Sequence, residues 1–293
     1  MSALVYYLFL KPISWLPFPV IYAVSDLLFY ILYYLVRFRR NVVRGNLQRS
    51  FPEKDIVEIR EIERQFYRHL GDIFLESFKL FSISEKQLSK RFVKRNPEVL
   101  NRYYEEGQNV IVVASHYNNW EMAGTSFPFG IKHTALGIYN PFRNAFFNTK
   151  MVQSRSKFGA ILVPMKLVLR YMAQYKDQVT ATVFGLDQNP SSHKNIYWIP
   201  FLNQETPWYV GAELYARKFN YPVIYAHFIK VKRGFFEMEF EVIEENPGKT
   251  RDQEITEKYV RHLEGIIRAQ PEYWLWTHRR WKRKRENDGN DRD

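Results

Sequence analysis

The stretch "VIVVASHYNNWE", residues 110 to 121, ends an apolar run on a histidine and sets a carboxylate five positions later. An imidazole takes and returns protons near neutral pH, and a carboxylate beside it fixes one tautomer and stabilises the imidazolium. His116 and Glu121 therefore have the composition of a general base and its orienting acid. Of the seven histidines, His116 alone has an acid at the fifth following position. The sequence holds no cysteine, which removes thiol nucleophiles, thiolate metal sites and disulfides. It has no G-x-S-x-G elbow, and Ser115 directly precedes His116, a spacing that rarely makes a base–nucleophile pair. A His–carboxylate pair without a protein nucleophile suits direct attack by a substrate hydroxyl on an activated carbonyl.

Such a pair needs a rigid support. "NVIVVAS" (109–115) is short, β-branched and continuously apolar, which reads as a strand covered on both faces. "AILVP" (160–164), "QVTATVFG" (178–185) and "YPVIYAHFIKV" (221–231) read as further strands, with helical stretches between them. "FFEMEFEVI" (235–243) alternates like a more exposed antiparallel strand. The alternation implies an α/β fold with a mixed, mostly parallel central sheet flanked by helices. In open α/β sheets, ligands gather beyond the carboxyl ends of strands. His116 sits at such an end, and a helix starting near Asn118 or Asn119 puts Glu121 in its first turn, with Asn119 also readable as a helix cap. Residues 52 to 90 are expected to be helical, from Ile56, Ile59, Phe66, Leu70, Ile73 and Phe74 at spacings of three and four. Residues 251 to 268 form another amphipathic helix.

The first 36 residues read as a hydrophobic membrane anchor. Val20 to Val36 is free of Pro and Gly, nearly all apolar or aromatic, and carries Asp26 as its one charge. Seventeen residues is the lower limit for spanning a bilayer, so the segment is either spanning or interfacial. Arg37, Arg39, Arg40 and Arg44 follow at once and, by the positive-inside rule, put the rest of the chain on the cytoplasmic side. Residues 37 to 285 form the main domain, and residues 286 to 293 a polar, disordered tail. Net charge is +12, which favours nucleic acid, anionic lipid or an acidic protein as partner. Arg279, Arg280, Lys282, Arg283, Lys284 and Arg285 make a dense basic cluster, and the interleaved Trp274, Trp276 and Trp281 suit an anionic membrane surface.

"SHYNNWE" resembles the His-x4-Asp/Glu motif of glycerolipid-type acyltransferases, and more narrowly the H-F-G-N-W-E form of the bacterial lipid A late acyltransferases, the lauroyl and myristoyl transferase family. Further segments resemble that family in order: "NLQRSFPEK" (46–54), "GIYNPFRNAFFNTKMVQSRSKFGA" (137–160), "FGLDQNP" (184–190), "IPFLNQETPWYVGAELYARKFNYPVI" (199–224) and "PEYWLWTHRRWKRK" (271–284). The likeness covers roughly residues 40 to 285. The sequence departs from the family pattern in Tyr117-Asn118 for Phe-Gly, Ala145 for Pro, an approximate match at Asn144, and Asn203 for Gly. These departures spare His116 and Glu121, so they bear on acyl-chain or acceptor choice more than on the reaction.

The resemblance implies a glycerolipid acyltransferase-like fold at the bacterial inner membrane. It implies transfer of an acyl group from the phosphopantetheine thioester of acyl carrier protein to a hydroxyl of a lipid A precursor, giving an acyloxyacyl ester. His116 would be the base and Glu121 its orienting acid. Arg143 or Arg155 would supply the oxyanion donor or bind acceptor phosphates, with Asn119, Asp187 and Gln188 shaping the site. Arg37, Arg39, Arg40, Arg279, Arg280, Lys282 and Arg283 would meet acyl carrier protein, which is acidic, or the membrane. Neither cofactor nor metal is expected, because no Gly-rich phosphate loop, acid cluster or H-E-x-x-H motif occurs. A related acceptor, such as a phosphoinositide mannoside, an ornithine lipid or a glycine lipid, keeps the same chemistry, and a lipid profile of a deletion strain separates these. A nonenzymatic nucleic-acid-binding protein would instead show salt-sensitive binding indifferent to His116→Ala. An inactive membrane scaffold fits poorly with retention of both His116 and Glu121.

Overall fold

A computed structural model describes residues 2–190 and 195–285; the tail expected to be disordered, 286–293, lies outside the described residues. Among the described residues there are nine strands: β1 Phe92–Lys94, β2 Val110–Ala114, β3 Thr134–Tyr139, β4 Ile161–Pro164, β5 Thr180–Gly185, β6 Ile196–Phe201, β7 Gln204–Tyr209, β8 Val223–Lys232 and β9 Phe235–Glu244. Seven of them form one sheet in the order β1-β9-β8-β2-β5-β3-β4. Only β8 and β9 run antiparallel in it; all its other neighbours are parallel. The mixed, mostly parallel α/β architecture read from the sequence is thus the one observed.

β2 lies near the centre because its residues can be dry on both faces. Ile111 and Val113 join one apolar cluster, and Val110 and Val112 join the other, all at 1% exposure or less. Strand β3 falls where the sequence pattern predicts a helical connection, because Gly137 interrupts its apolar run. β6 and β7 pair as a separate two-stranded hairpin, and their turn is Leu202-Asn203, both at positive φ (49° and 59°). Two-residue hairpin turns with left-handed residues match the strand twist, and Gly or Asn tolerates that backbone best. Asn203, one of the departures from the family pattern, therefore replaces a glycine where only a few residue types fit, and it also donates to Ser50 O (3.0 Å).

The helix expected across 52–90 runs Ile56–Lys79 and is followed by a short one, Glu85–Ser89. Asp55 starts the first: its carboxylate accepts from the amides of Val57 (2.8 Å) and Glu58 (2.9 Å), and Glu58 returns a bond from the Asp55 amide (3.0 Å). Asp55→Ala should cost about 1 kcal/mol, because it leaves orphan amides in the first turn. A thermal melt should show a drop of about 2–4 °C with acyl transfer unchanged; no shift would mean that solvent satisfies those amides equally well.

Phe18 to Leu35 is long and apolar enough to cross a membrane by length and composition. It is nevertheless joined to the rest of the chain along one face. Phe18, Ile21, Ser25 and Phe29 are buried there at helical spacing, while Val20, Leu27, Tyr30, Tyr34 and Leu35 stay exposed on the other. Tyr22 donates to Glu76 Oε1 (2.9 Å), Ser25 to Asp72 Oδ1 (2.7 Å), and Arg233 bridges Asp26 (2.7 Å) and Asp72 (2.7 Å). Gly71 lets the two helices approach: a Cβ there would lie 3.1 Å from Ser25 Oγ and 3.2 Å from Ser25 O.

Candidate active site

The site is built by two adjacent parallel strands that end together. Ala114 of β2 stands opposite Gly185 of β5, and the Leu186 amide donates to Ala114 O (3.2 Å) just past the strand ends. Two residues beyond that register stand His116 and Asp187. His116 Nδ1 is 2.6 Å from Asp187 Oδ1, and Asp187 Oδ2 accepts from the His116 amide (2.9 Å) and the Trp274 indole (2.8 Å). A carboxylate only accepts, so Nδ1 carries the proton and Nε2 is left as the basic atom.

The electrostatics agree with that assignment. Burial alone pushes the Asp187 carboxyl up, but the charge and hydrogen bonds of His116, with the Trp274 indole, outweigh it and hold the group below the usual carboxylate range. Burial likewise works against a charged His116. The charge and hydrogen bond of Asp187, aided by the charge of Glu121 and opposed by Arg155, win and raise its pKa above the ordinary 6.5.

Glu121 does not make the hydrogen bond to His116 that the motif spacing suggested. Its two oxygens take a bidentate pair from Arg155, Oε2 from Nε (2.9 Å) and Oε1 from Nη2 (2.6 Å). The reason is positional. The His116 ring turns from the end of β2 toward β5, where Asp187 waits, whereas Glu121 sits in the first turn of the helix Trp120–Ser126 and meets the helix Ala145–Ser156 that carries Arg155. The charges of the two still act on His116 in opposite senses, Glu121 raising its pKa and Arg155 lowering it.

Asn119 caps the helix Trp120–Ser126: its Oδ1 accepts from the Met122 amide (2.9 Å) and its Nδ2 donates to Glu76 Oε2 (2.6 Å). Burial and nearby Asp72 push the Glu76 carboxyl up to about 7. Asn118 has φ +52°, a backbone that glycine adopts freely and Asn better than most residues. Its side chain also donates to Phe228 O (2.7 Å) in the core. The replacement of the family's Phe-Gly by Tyr117-Asn118 thus has a backbone reason and need not touch acceptor choice.

The C-terminal segment clasps this loop. Tyr117 pairs with Trp274 as an isolated bridge, the Asn118 amide donates to Tyr273 O (2.9 Å), and Tyr117 Oη donates to Gln270 O (2.9 Å). His278 Nε2 accepts from the Asn189 amide (2.9 Å), and burial pushes its pKa down to about 4, so it stays neutral there. The tryptophans expected at a membrane surface are instead core: Trp274, Trp276 and Trp281 are 2%, 0% and 6% exposed. Arg280 is corrected with them. It is fully buried over the Trp208 ring and donates to Pro207 O (2.6 Å), so it cannot meet a membrane or a carrier protein. Trp274 is the site residue that sequence reasoning assigned elsewhere; its signal was the "PEYWLWTHRRWK" block itself, read there for charge.

The remaining candidates divide. Gln188 is exposed in the loop after β5. Arg143 is exposed just before the helix Ala145–Ser156, whose first residue stands about 15 Å of helix rise from Arg155 in its last turn, so the two arginines do not serve one spot. Arg37, Arg39, Arg40 and Arg279 gather around a single cavity, while Lys282 is exposed and Arg283 partly so.

Gly185 has a part of its own. A Cβ there would stand 3.3 Å from His116 Cε1, tight enough to push the imidazole by a few tenths of an ångström. Gly185→Ala should lower kcat/KM for acyl transfer by about tenfold, since small misplacements of a reacting group cost rate steeply. Unchanged kinetics would show that the ring has slack at this position.

Comparison with known proteins places nearly the whole chain beside lipid A acyltransferases. The family model of bacterial lipid A biosynthesis acyltransferases matches residues 2–283. The lipid A biosynthesis palmitoleoyltransferase of Escherichia coli K12 is 20% identical over 269 residues, spanning 91% of this chain and 86% of that one. The lipid A biosynthesis lauroyltransferase of the same strain is 19% identical over 274 residues, 92% of this chain and 88% of that one. A lipid A biosynthesis acyltransferase of Shigella flexneri matches at 20% identity over 269 residues. With a match over nearly its full length, the chain belongs to the bacterial lipid A biosynthesis acyltransferase family.

Proposed function

We propose that this acyltransferase moves a fatty acyl chain from acyl carrier protein to a hydroxyl of a lipid A precursor, with His116 as general base oriented by Asp187. The observation that carries the reading is the His116–Asp187 pair, which occupies Nδ1 and leaves Nε2 as the basic atom. Nε2 takes the proton of the acceptor hydroxyl as its oxygen attacks the thioester carbonyl. Asp187 holds the imidazole ring and offsets its charge as the proton arrives. The new C–O bond forms, the C–S bond breaks, and the proton passes from His116 to the leaving thiolate. Arg155, locked by Glu121 through Nε and Nη2, keeps Nη1 for the oxyanion and adds positive field where negative charge develops.

The apolar N-terminal helix attaches the protein to the inner membrane through its exposed face. A helix packed along its length on Ile56–Lys79, with Asp26 paired to Arg233, suits lying at the interface better than crossing the bilayer, where those charges would be costly. The catalytic domain then lies on the cytoplasmic side, where acyl carrier protein is found.

The test is acyl transfer by purified protein, with acyl carrier protein charged with chains of several lengths, a tetra-acylated lipid A precursor as acceptor, and mass spectrometry as readout. Gain of one acyl mass supports the reading. Absence of gain with every donor, alongside transfer to a phosphoinositide mannoside, ornithine or glycine lipid, would move the acceptor and keep the chemistry.

A further inference from the structure

Five arginines line one open cavity of about 490 Å³: Arg37, Arg39, Arg40, Arg44 and Arg279, with Asn41 and Val42. Side chains of like charge repel, so such a cluster holds together only with fixed supports. Glu63 is the internal one. Its fully buried carboxylate accepts from Arg40 Nε (2.8 Å) and Arg44 Nε (2.8 Å), which aims both guanidinium groups, and Arg40 also stacks 4.3 Å over the Tyr33 ring. Arg39 is tied by Nη1 to Thr277 O (3.1 Å). Arg37 and Arg279 have no carboxylate partner among the described residues. Five cations against one carboxylate leave four positive charges around the cavity. Arg37 and Arg39 moreover hold φ of +53° each, a backbone that costs a non-glycine residue about 1 kcal/mol. The chain accepts strain to bring these side chains round.

The location gives the ligand. The cavity opens directly after the apolar helix, whose last residues Tyr34, Leu35 and Val36 are exposed, so it stands at headgroup level for a protein attached through that helix. It also adjoins the catalytic wall. His278 feels the charges of Asp187, His116 and Arg39 together, and the arginine-bearing helix Arg40–Ser50 is fastened to the same segment by Asn46, which donates to Trp276 O (3.0 Å) and His278 O (3.1 Å). Guanidinium forks match phosphate oxygens two by two.

We infer that this cavity binds a phosphate group of the membrane-borne acyl acceptor and thereby sets which acceptor hydroxyl reaches His116. The inference deepens the proposed function and rests on it for the acceptor. Arg37 and Arg279 are exposed, and their side chains make no hydrogen bond or ion pair among the described residues, so the double variant Arg37→Ala/Arg279→Ala keeps the fold.

The experiment measures acceptor KM for the phosphorylated tetra-acylated precursor and for the same lipid after phosphatase treatment, with wild type and the double variant. Dephosphorylation should raise the wild-type KM by about tenfold or more, and the variant should show that same rise with the intact lipid. Removing the phosphates should then change the variant by no more than about twofold, with kcat and donor KM nearly constant, as expected when two changes remove one interaction. Equal sensitivity of both proteins to dephosphorylation would overturn the inference. So would a rise confined to donor KM, which would give the cavity to the phosphodiester of the carrier protein. If no transfer is seen with any donor, the proposed function has failed, and equilibrium binding of the two lipids in detergent micelles still decides. Phosphate-dependent affinity lost in the variant supports the cavity, and affinity equal in both proteins refutes it.

Discussion

His116→Ala should lower kcat/KM for acyl transfer by about 10³-fold or more, because it removes the atom that takes the acceptor proton. The neighbouring groups cannot replace it. Asp187 has Oδ2 engaged by the His116 amide and the Trp274 indole, and Nε2 of His278, a weak base pushed down to about 4, already accepts the Asn189 amide. Thermal stability should change little by comparison, since the side chain is partly exposed at the mouth of the site. Transfer undiminished in this variant would remove His116 from the mechanism.

Asp187→Asn should be nearly as damaging, by about 10³- to 10⁴-fold in kcat, on the precedent of other His–carboxylate sites. The amide lacks the charge that offsets the imidazolium, and its NH2, if turned to His116, would force the proton onto Nε2, the wrong atom. The pH profile should move as well. In the wild type the base is free only above its raised pKa, so kcat/KM should fall as pH drops through an inflection above the ordinary 6.5. With Asp187 neutralised, burial dominates and that inflection should shift down. Stability follows the opposite sign for the histidine. Its raised pKa favours the fold below about 6.5 and the gain fades as pH rises through the raised value, whereas the lowered pKa of Asp187 favours the fold above about 3.8 and its gain fades as pH falls through the lowered value. The pair is worth most to the fold between those limits.

Why was Asp187 harder to read from the sequence than Glu121? The motif spacing is local, and local spacing put an acid in the first turn after His116. The partner that the ring reaches is 71 residues on, brought level by the pairing of β2 with β5. That register becomes visible only when the strands are placed side by side. The strands themselves were legible where the chemistry is unambiguous: β2 as a continuous β-branched run, β9 as a strict alternation. β3 and the β6–β7 hairpin were not, since Gly137 breaks one and a Leu-Asn turn, in place of the usual Asn-Gly, hides the other. The tryptophans of residues 274 to 281 failed for a similar reason. Composition alone suits a membrane surface, but contacts to Tyr117, Asp187 and Thr206 put them in the core.

The most direct test of the account is the pH dependence of kcat/KM for acyl transfer in wild type, Asp187→Asn and Glu121→Gln. Asp187→Asn should lower both the plateau and the acid inflection. Glu121→Gln keeps the bond between His116 and Asp187, so its inflection should move less, and its loss should come through the freed Arg155. A wild-type profile in Asp187→Asn, with the large downward shift in Glu121→Gln instead, would contradict the assignment of Asp187 as the group that holds the base.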